Sequence, residues 1–301
     1  MNKNVMLLTG AGQIGMAIAR RMGYGMKIMV GDKRLSNAEA ISETMKNSGF
    51  DTEAIEMDLS SRESIVGMIR KGQEYGEIKM LVNAAGMSPS QASVETILKV
   101  DLYGSAVLME EVGKVIAEGG SGIQISSQSG FRMPALTPEQ DRALAMTPTE
   151  ELLSLDFLQP EKIKDTLHAY QMSKRANEKR VMYEAVRWGE RGARINDIAP
   201  GIIVTPLAID ELNGIRGDFY KNMFAKCPAG RPGTADEMAN LAELLMSERG
   251  AFITGSTFLA DGGATASYYY GSGSVVTRDI PDDSIAVGNP ARVIKTITVS
   301  K

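Results

Sequence analysis

Tyr170 and Lys174 stand four positions apart in AYQMSKRANEKR, and a tyrosine one helical turn from a lysine can exchange protons with a bound molecule. An unperturbed tyrosine titrates near ~10, too high for efficient proton transfer at neutral pH. Lowering that by ~2 to 3 units takes roughly 3 to 4 kcal/mol of preferential phenolate stabilisation, which a neighbouring ammonium helps to supply. The spacing alone means little, because Tyr75 and Lys79 repeat it. Tyr170 opens a long helical pattern. Tyr75 sits beside Gly76 in a connector leading away from the strand ends where open α/β sheets bind ligands. A hydroxyl to hold a substrate oxygen is offered by Ser126, Ser127 and Ser129 in IQISSQSGF.

Gly10, Gly12 and Gly15 in LLTGAGQIGMAIA form G-x-G-x-x-G between an apolar run and a helical pattern, with Gln13 and Ile14 in its turn. Such glycines permit a tight turn and close approach of a pyrophosphate to a helix N-terminus, so a dinucleotide is expected there. The positive ring of an oxidised nicotinamide would add to the phenolate stabilisation. Asp32 follows Gly10 by 22 positions, where a carboxylate accepts from both ribose hydroxyls and repels a 2′-phosphate. That favours NAD. Lys33 and Arg34 come next and could pair with a 2′-phosphate, which keeps NADP open. Asp58, followed by Leu59, ends the third predicted strand and could contact adenine or cap the helix that starts near Ser61.

These residues need a frame. Short apolar runs alternate with helical patterns, which predicts an α/β doubly wound parallel sheet, Rossmann-type, of about seven strands. The strands fall near Val5–Thr9, Lys27–Gly31, Thr52–Met57, Met80–Asn83, Gly122–Ser126, Arg194–Ile198 and Ser256–Ala260. The helices fall near Gln13–Met22, Ser36–Lys46, Ser61–Gln73, Thr96–Ala117, Tyr170–Trp188 and Ala235–Met246. Residues 131–168 read as a helical insertion near the site, and 264–274 as a Gly/Ser/Tyr linker.

The 301 residues, 43% hydrophobic and 23% charged, suit a globular protein. A net charge of −4 without a basic cluster argues against a nucleic-acid surface, and no apolar run is long enough for a membrane span. The single cysteine, Cys227, excludes an internal disulfide, and the start lacks a signal peptide's apolar stretch, so a cytoplasmic location is expected. One histidine, His168, and one cysteine are too few for a soft-ligand metal site.

TGAGQIG, Asp58, VNAAG, SSQSG, AYQMSKRA, INDIAPGIIVTPL and FLADGG occur in the order seen in short-chain dehydrogenase/reductases, which residues 4 to 263 resemble. The resemblance implies an oxidoreductase domain over residues 1–263 and a hydride transfer between a nicotinamide cofactor and a ketone or secondary alcohol. It puts the catalytic serine on Ser127, the tyrosine on Tyr170 and the lysine, which also holds the nicotinamide ribose, on Lys174. Asn83, with Ala84 beside it, matches the asparagine that steadies the central sheet beside the cofactor. Pro200, Gly201, Ile203 and Thr205 match the loop that cups the nicotinamide.

Three features depart from the family pattern. The glycine loop is one residue tighter. Asp101 in KVDLYG replaces an asparagine whose backbone carbonyl anchors a proton-relay water, so the relay is open. Ser127 and Tyr170 stand 43 positions apart, an unusually long separation. With WGERGARINDIAPG, that separation resembles bacterial 3α-hydroxysteroid dehydrogenase/carbonyl reductases. This implies a roomy cleft for a bulky, apolar small-molecule carbonyl or alcohol, and a homodimer or homotetramer whose usual contacts are partly obstructed.

Gly271–Ile297 resembles the last coil of hexapeptide-repeat acyltransferases, so residues 275–301 read as a β-helix remnant. A solenoid needs about three stacked repeats, and none precedes it. Deletion from residue 268 onward is therefore expected to leave activity intact. Two other readings stand beside the enzyme: a non-catalytic dinucleotide-binding scaffold, and an acyl-CoA-dependent transferase.

Overall fold

Val5, Met6, Leu7 and Leu8 are consecutive, apolar and wholly buried in β1 (Lys3–Thr9). A strand apolar on both faces must be covered on both, which crossover helices do in a parallel sheet. The chain continues through α1 (Gln13–Met22), β2 (Lys27–Asp32), α2 (Leu35–Lys46), β3 (Asp51–Glu56), α3 (Arg62–Gln73) and β4 (Gly76–Asn83). A short α4 (Val94–Ile97) passes through a π-helical stretch (Leu98–Gly104) into α5 (Ser105–Gly113), and β5 (Ser121–Ile125) follows. Next come α6 (Pro138–Met146), three 3-10 turns, α7 (Thr166–Gly189), β6 (Arg194–Pro200), α8 (Pro206–Asn213) and α9 (Gly217–Lys226). The sheet closes with α10 (Ala235–Met246) and β7 (Thr257–Ala260), after which α11 (Ala264–Tyr270) follows. The structure, a computed structural model, describes residues 3–214, 217–271, 284–287 and 292–296.

Strand order is β3-β2-β1-β4-β5-β6-β7, with every pair parallel. The direction of winding reverses between β1 and β4, and the crevice beyond their C-terminal ends is the place for a ligand. One face of the sheet is packed by α3, α5 and α7, the other by α1, α2 and α10. Trp188 on α7 is fully buried over Gly113 and Gly122, where an added Cβ would come within 2.6 Å and 2.7 Å of the indole. Among the described residues no helix is long and apolar enough to cross a membrane.

The seven expected strands and a doubly wound sheet are present. The helix expected over Thr96–Ala117 runs unbroken from Val94 to Gly113 but changes type, from α4 through the π stretch to α5. Its apolar period runs on through the π stretch, and a period of 3.6 does not distinguish a π turn from an α turn. The last three residues of the expected insertion open α7, and residues 131–165 hold α6 and the 3-10 turns. They pack Met133, Leu144, Leu152 and Leu158 onto Ala169 and Met172 of α7. Thr137 and Gln140 close a capping box at the start of α6.

The first residues of the expected linker are instead helix α11. Tyr269 Oη donates to the Phe131 carbonyl at 2.6 Å, and the Tyr268 ring lies 5.7 Å from the Arg132 guanidinium carbon. Those contacts supply what a Gly/Ser/Tyr composition does not advertise. A deletion that spares α11 therefore starts no earlier than Gly271. Of the expected β-helix remnant, β8 (Ser284–Val287) and β9 (Arg292–Thr296) pair antiparallel, and the other residues of 275–301 lie outside the described ones.

Candidate active site

The glycine loop between β1 and α1 has the form a pyrophosphate needs. Gly10 has φ +83°, and an added Cβ would come within 2.5 Å of the Ala85 amide nitrogen. At Gly12 nothing within 4 Å would meet a Cβ, and this N-cap residue supplies no side-chain cap to α1. The first-turn N–H groups of a ten-residue helix, with Gln13 and Ile14 among them, are thus left for an anion. Gly15 packs its helix against the sheet, since a Cβ there would press on Leu8 and Ala84.

Asp32, at the end of β2, accepts from Ala11 N at 3.1 Å and from Arg34 N at 2.9 Å, which aims its carboxylate beside the loop. Lys33 pairs with Asp58 at 2.9 Å. Asp58 also accepts from the amide and hydroxyl of Ser60, and these partners hold its carboxyl below the usual range against the upward push of burial. The cap of α3 is Ser61, not Asp58. Leu59 turns its side chain into the core. Asn83 is fully buried: it donates to Gln124 at 2.7 Å and accepts from Thr9 at 2.6 Å, tying β1, β4 and β5 together. Its neighbour Ala84 lines the cleft.

Beyond β4, β5 and β6 opens a cleft of about 440 Å³. Ile14, Ser127, Tyr170, Lys174, Pro200, Gly201, Ile203 and Thr205, all expected at the site, line it. The three candidate serines part ways. All three line the cleft, but the Ser126 hydroxyl is committed to Asp197, to which it donates at 2.6 Å, and the Ser127 Oγ accepts from Ser129 N at 3.1 Å. Tyr170 lies in the second turn of α7, whose N-cap is Asp165, and the Lys174 ammonium sits 5.2 Å from its ring centroid. Tyr75, the decoy, lies at the opposite sheet edge beside Lys27 and Glu53.

Asp101 lies in the π stretch with no exposed surface. Its Oδ1 accepts from Met87 N at 2.8 Å, and its Oδ2 faces Lys174 Nζ at 3.4 Å. Burial pushes the Asp101 carboxyl up, opposed by the ammonium. Burial pulls Lys174 down, but Asp101 and then Tyr170 outweigh it and hold the lysine above its ordinary value. Asp101 thus acts on the lysine through its side chain, which a role confined to its backbone carbonyl does not require. His168 is held locally, its Nδ1 accepting from Lys164 N, and is not among the cleft residues. Cys227 is buried with its Sγ on the Gly262 carbonyl.

Sequence reasoning missed several groups. Arg132, Gln128, Gln171, Tyr220 and Tyr268 also line the cleft. Asp197 and Glu178 are buried behind the serine loop. For Tyr268 the available signal was the triple tyrosine that begins five residues after Gly263.

The family described as short chain dehydrogenase matches residues 4–138, and the one described as Enoyl-(Acyl carrier protein) reductase matches 136–265. Neither reaches the tail, so the acyltransferase resemblance gains no support. A short-chain dehydrogenase/reductase of Alternaria brassicicola, bsc3, is 35% identical over 267 residues, covering 88% of this chain and 97% of its own. The 3-alpha-hydroxysteroid dehydrogenase/carbonyl reductase of Comamonas testosteroni is 29% identical over 188 residues, covering 62% of this chain and 72% of its own. A solved short-chain dehydrogenase/reductase from Serratia marcescens shares the fold with a TM-score of 0.69 at 22% identity, covering 87% of this chain and 98% of its own. The chain belongs to the short-chain dehydrogenase/reductase family, oxidoreductases that act on CH–OH groups with a nicotinamide cofactor.

Proposed function

We propose that the chain interconverts a bulky, largely apolar ketone and its secondary alcohol with NAD in preference to NADP, using Ser127, Tyr170 and Lys174. The observation that carries this is their convergence on one cleft beside the glycine loop. The Ser127 hydroxyl holds the substrate oxygen and stabilises the charge that develops on it. The Tyr170 hydroxyl gives that oxygen its proton in reduction and removes it in oxidation. Lys174 favours the phenolate and binds the nicotinamide ribose. The glycine loop, Asp32, Ala84 and the Pro200–Thr205 loop hold the rest of the cofactor, which when bound supplies or takes up the hydride.

NAD preference is supported by the Asp32 carboxylate beside the loop and by Lys33 being paired with Asp58. The apolar substrate is supported by Met87, Pro89, Leu167 and Leu212 in the cleft wall. We also infer a cytoplasmic homodimer or homotetramer, and a tail over 275–301 without acyltransferase activity. Titration with NADH and NADPH followed by nicotinamide fluorescence, then a panel of ketones, tests the reading. Tighter NADH binding with turnover of a bulky ketone is expected. NADPH preference moves the credit to Lys33 and Arg34, and binding of neither overturns the proposal.

Asp101→Asn keeps an acceptor for Met87 N but removes the charge facing Lys174. With that charge gone, burial is opposed by less and the Lys174 pKa falls. The alkaline limb of the alcohol-oxidation pH profile is therefore expected to move to lower pH, because the ammonium that favours the phenolate is lost earlier. An unmoved limb would return Asp101 to a purely backbone role.

A further inference from the structure

Five residues beyond Ser127, Arg132 is clamped to both halves of the site. Its amide donates to Ser129 O at 3.2 Å, and its carbonyl accepts from Gln171 Nε2 at 3.1 Å, one residue from Tyr170. Its side chain lines the cleft with the guanidinium carbon 5.7 Å from the Tyr268 ring centroid, but it lacks an anionic partner among the described residues. The Nε is buried and meets no acceptor, and Nη1 reaches only the Met223 thioether at 3.4 Å. No carboxylate of a described residue lies within ion-pair distance of it. The carboxylate of Asp261, whose charge it feels, is taken by Gly263 N at 2.9 Å and Thr265 N at 2.7 Å.

Other partly buried arginines of this chain are provided for. Arg62 pairs with Glu110, Glu111 and Glu150, and Arg175 with Asp141 and Glu178. Arg180, whose Nε is also without a partner, donates to two carbonyls and a hydroxyl through its other nitrogens, and Arg194 donates to five carbonyls. Beside Arg132, Gln128 repeats the anomaly: its Nε2 also reaches only the Met223 thioether, at 3.5 Å, and its Oε1 has no partner. Two strong donors thus converge on one weak acceptor, a methionine of α9. A desolvated guanidinium without an anion is costly, and burial accordingly pulls this arginine's pKa below its ordinary value. No Asp or Glu is among the residues lining this cleft. The missing acceptor has to come from a ligand.

We propose that the substrate carries a carboxylate, received by the Arg132 guanidinium and the Gln128 amide in place of the Met223 thioether. The planar fork of a guanidinium matches the two oxygens of a carboxylate, and a single cation calls for a single anionic charge. Resting on the oxidoreductase reading above, this narrows the substrate to a keto acid or hydroxy acid. Its apolar body lies on the Met87, Pro89 and Leu167 side and its charged end on the serine-loop side.

Calorimetric titration of the full chain, with and without NADH, with 4-phenylbutyrate and with 4-phenylbutyramide tests the receptor apart from turnover. The acid is expected to bind about 10- to 100-fold more tightly than the amide. In Arg132→Met that ratio falls to within about twofold of one, and Arg132→Lys recovers only part of it, because a point charge lacks the fork. If Arg132→Met does not fold, Gln128→Glu supplies the carboxylate internally and is expected to abolish acid binding in a folded chain. Equal binding of acid and amide by the parent chain, or a ratio untouched by these substitutions, overturns the proposal. Turnover of 4-oxo-4-phenylbutyrate against its methyl ester separates the two readings. Acid preference in binding with turnover of neither sinks the enzyme, whereas equal turnover of both sinks the receptor.

Discussion

Tyr170→Phe is expected to lower kcat for ketone reduction by about 10²- to 10⁴-fold, the range that a positioned proton donor contributes, while NADH binding stays within about twofold. The substitution removes one oxygen and leaves the ring, and the ring carries much of what the structure shows for this residue. Lys174 sits 5.2 Å from its centroid, and the residue packs against the cluster formed by α4, α7 and the insertion. The lysine therefore keeps its neighbour and its ion pair with Asp101. Ser127 would still hold the carbonyl oxygen, but the developing alkoxide would have to take its proton from water. Steady-state turnover and a fluorescence titration on the same preparation check both halves. A variant that turns over at the parent rate removes Tyr170 from the chemistry. Joint loss of binding and turnover would instead mean that the phenol organises the cofactor cleft.

What could be read ahead of the fold was whatever depends on local order. The glycine loop, Asp32 at a strand end and the Tyr170–Lys174 pair are each short-range patterns, and the alternation of strands and helices carries them to one sheet edge. The decoy Tyr75 was separable because the end of a strand at which a residue sits follows from chain order alone. Arg132 was not legible. FRMP is an ordinary turn sequence, and the absence of a partner is a property of everything packed around it. Asp197 was hidden for a related reason: strand alternation permits a carboxylate to face solvent, but β6 is covered on both faces and buries six residues in a row. Tyr268 was lost because the glycines and serines after Tyr270 weigh toward a linker, while the contacts to Phe131 and Arg132 that hold α11 are long-range. The choice among Ser126, Ser127 and Ser129 rested on resemblance, and the geometry bears on it only by committing the Ser126 hydroxyl to Asp197.

The same buried carboxylates make stability depend on pH in a direction opposite to the usual acidic case. Asp197 has no exposed surface, and burial drives its carboxyl up to about 7 although Ser126 donates to it from both amide and hydroxyl. Glu178 is driven up to about 8, first by burial and then by the Asp197 charge, with Arg175 at 3.2 Å opposing. In the unfolded chain these groups titrate near ~3.9 and ~4.3. The folded protein therefore keeps two protons that the unfolded chain releases. The stability they contribute is full below about pH 4 and drains away as pH rises to 7 for Asp197 and 8 for Glu178, at up to about 1.4 kcal/mol per pH unit for each group. Because Glu178 Oε1 lies where a Cβ on Gly130 would fall, its ionisation is felt directly beneath the serine loop. The melting temperature is expected to fall between pH 5 and pH 9. Glu178→Gln should match the parent chain near pH 5, where the carboxyl is protonated in the folded state, and exceed it by several degrees at pH 9. Thermal melts across that range for the parent, Glu178→Gln and Asp197→Asn check this. Parallel curves for all three would mean that water or a shifted side chain already solvates the pair, and that the two carboxylates ionise in place without weakening the fold.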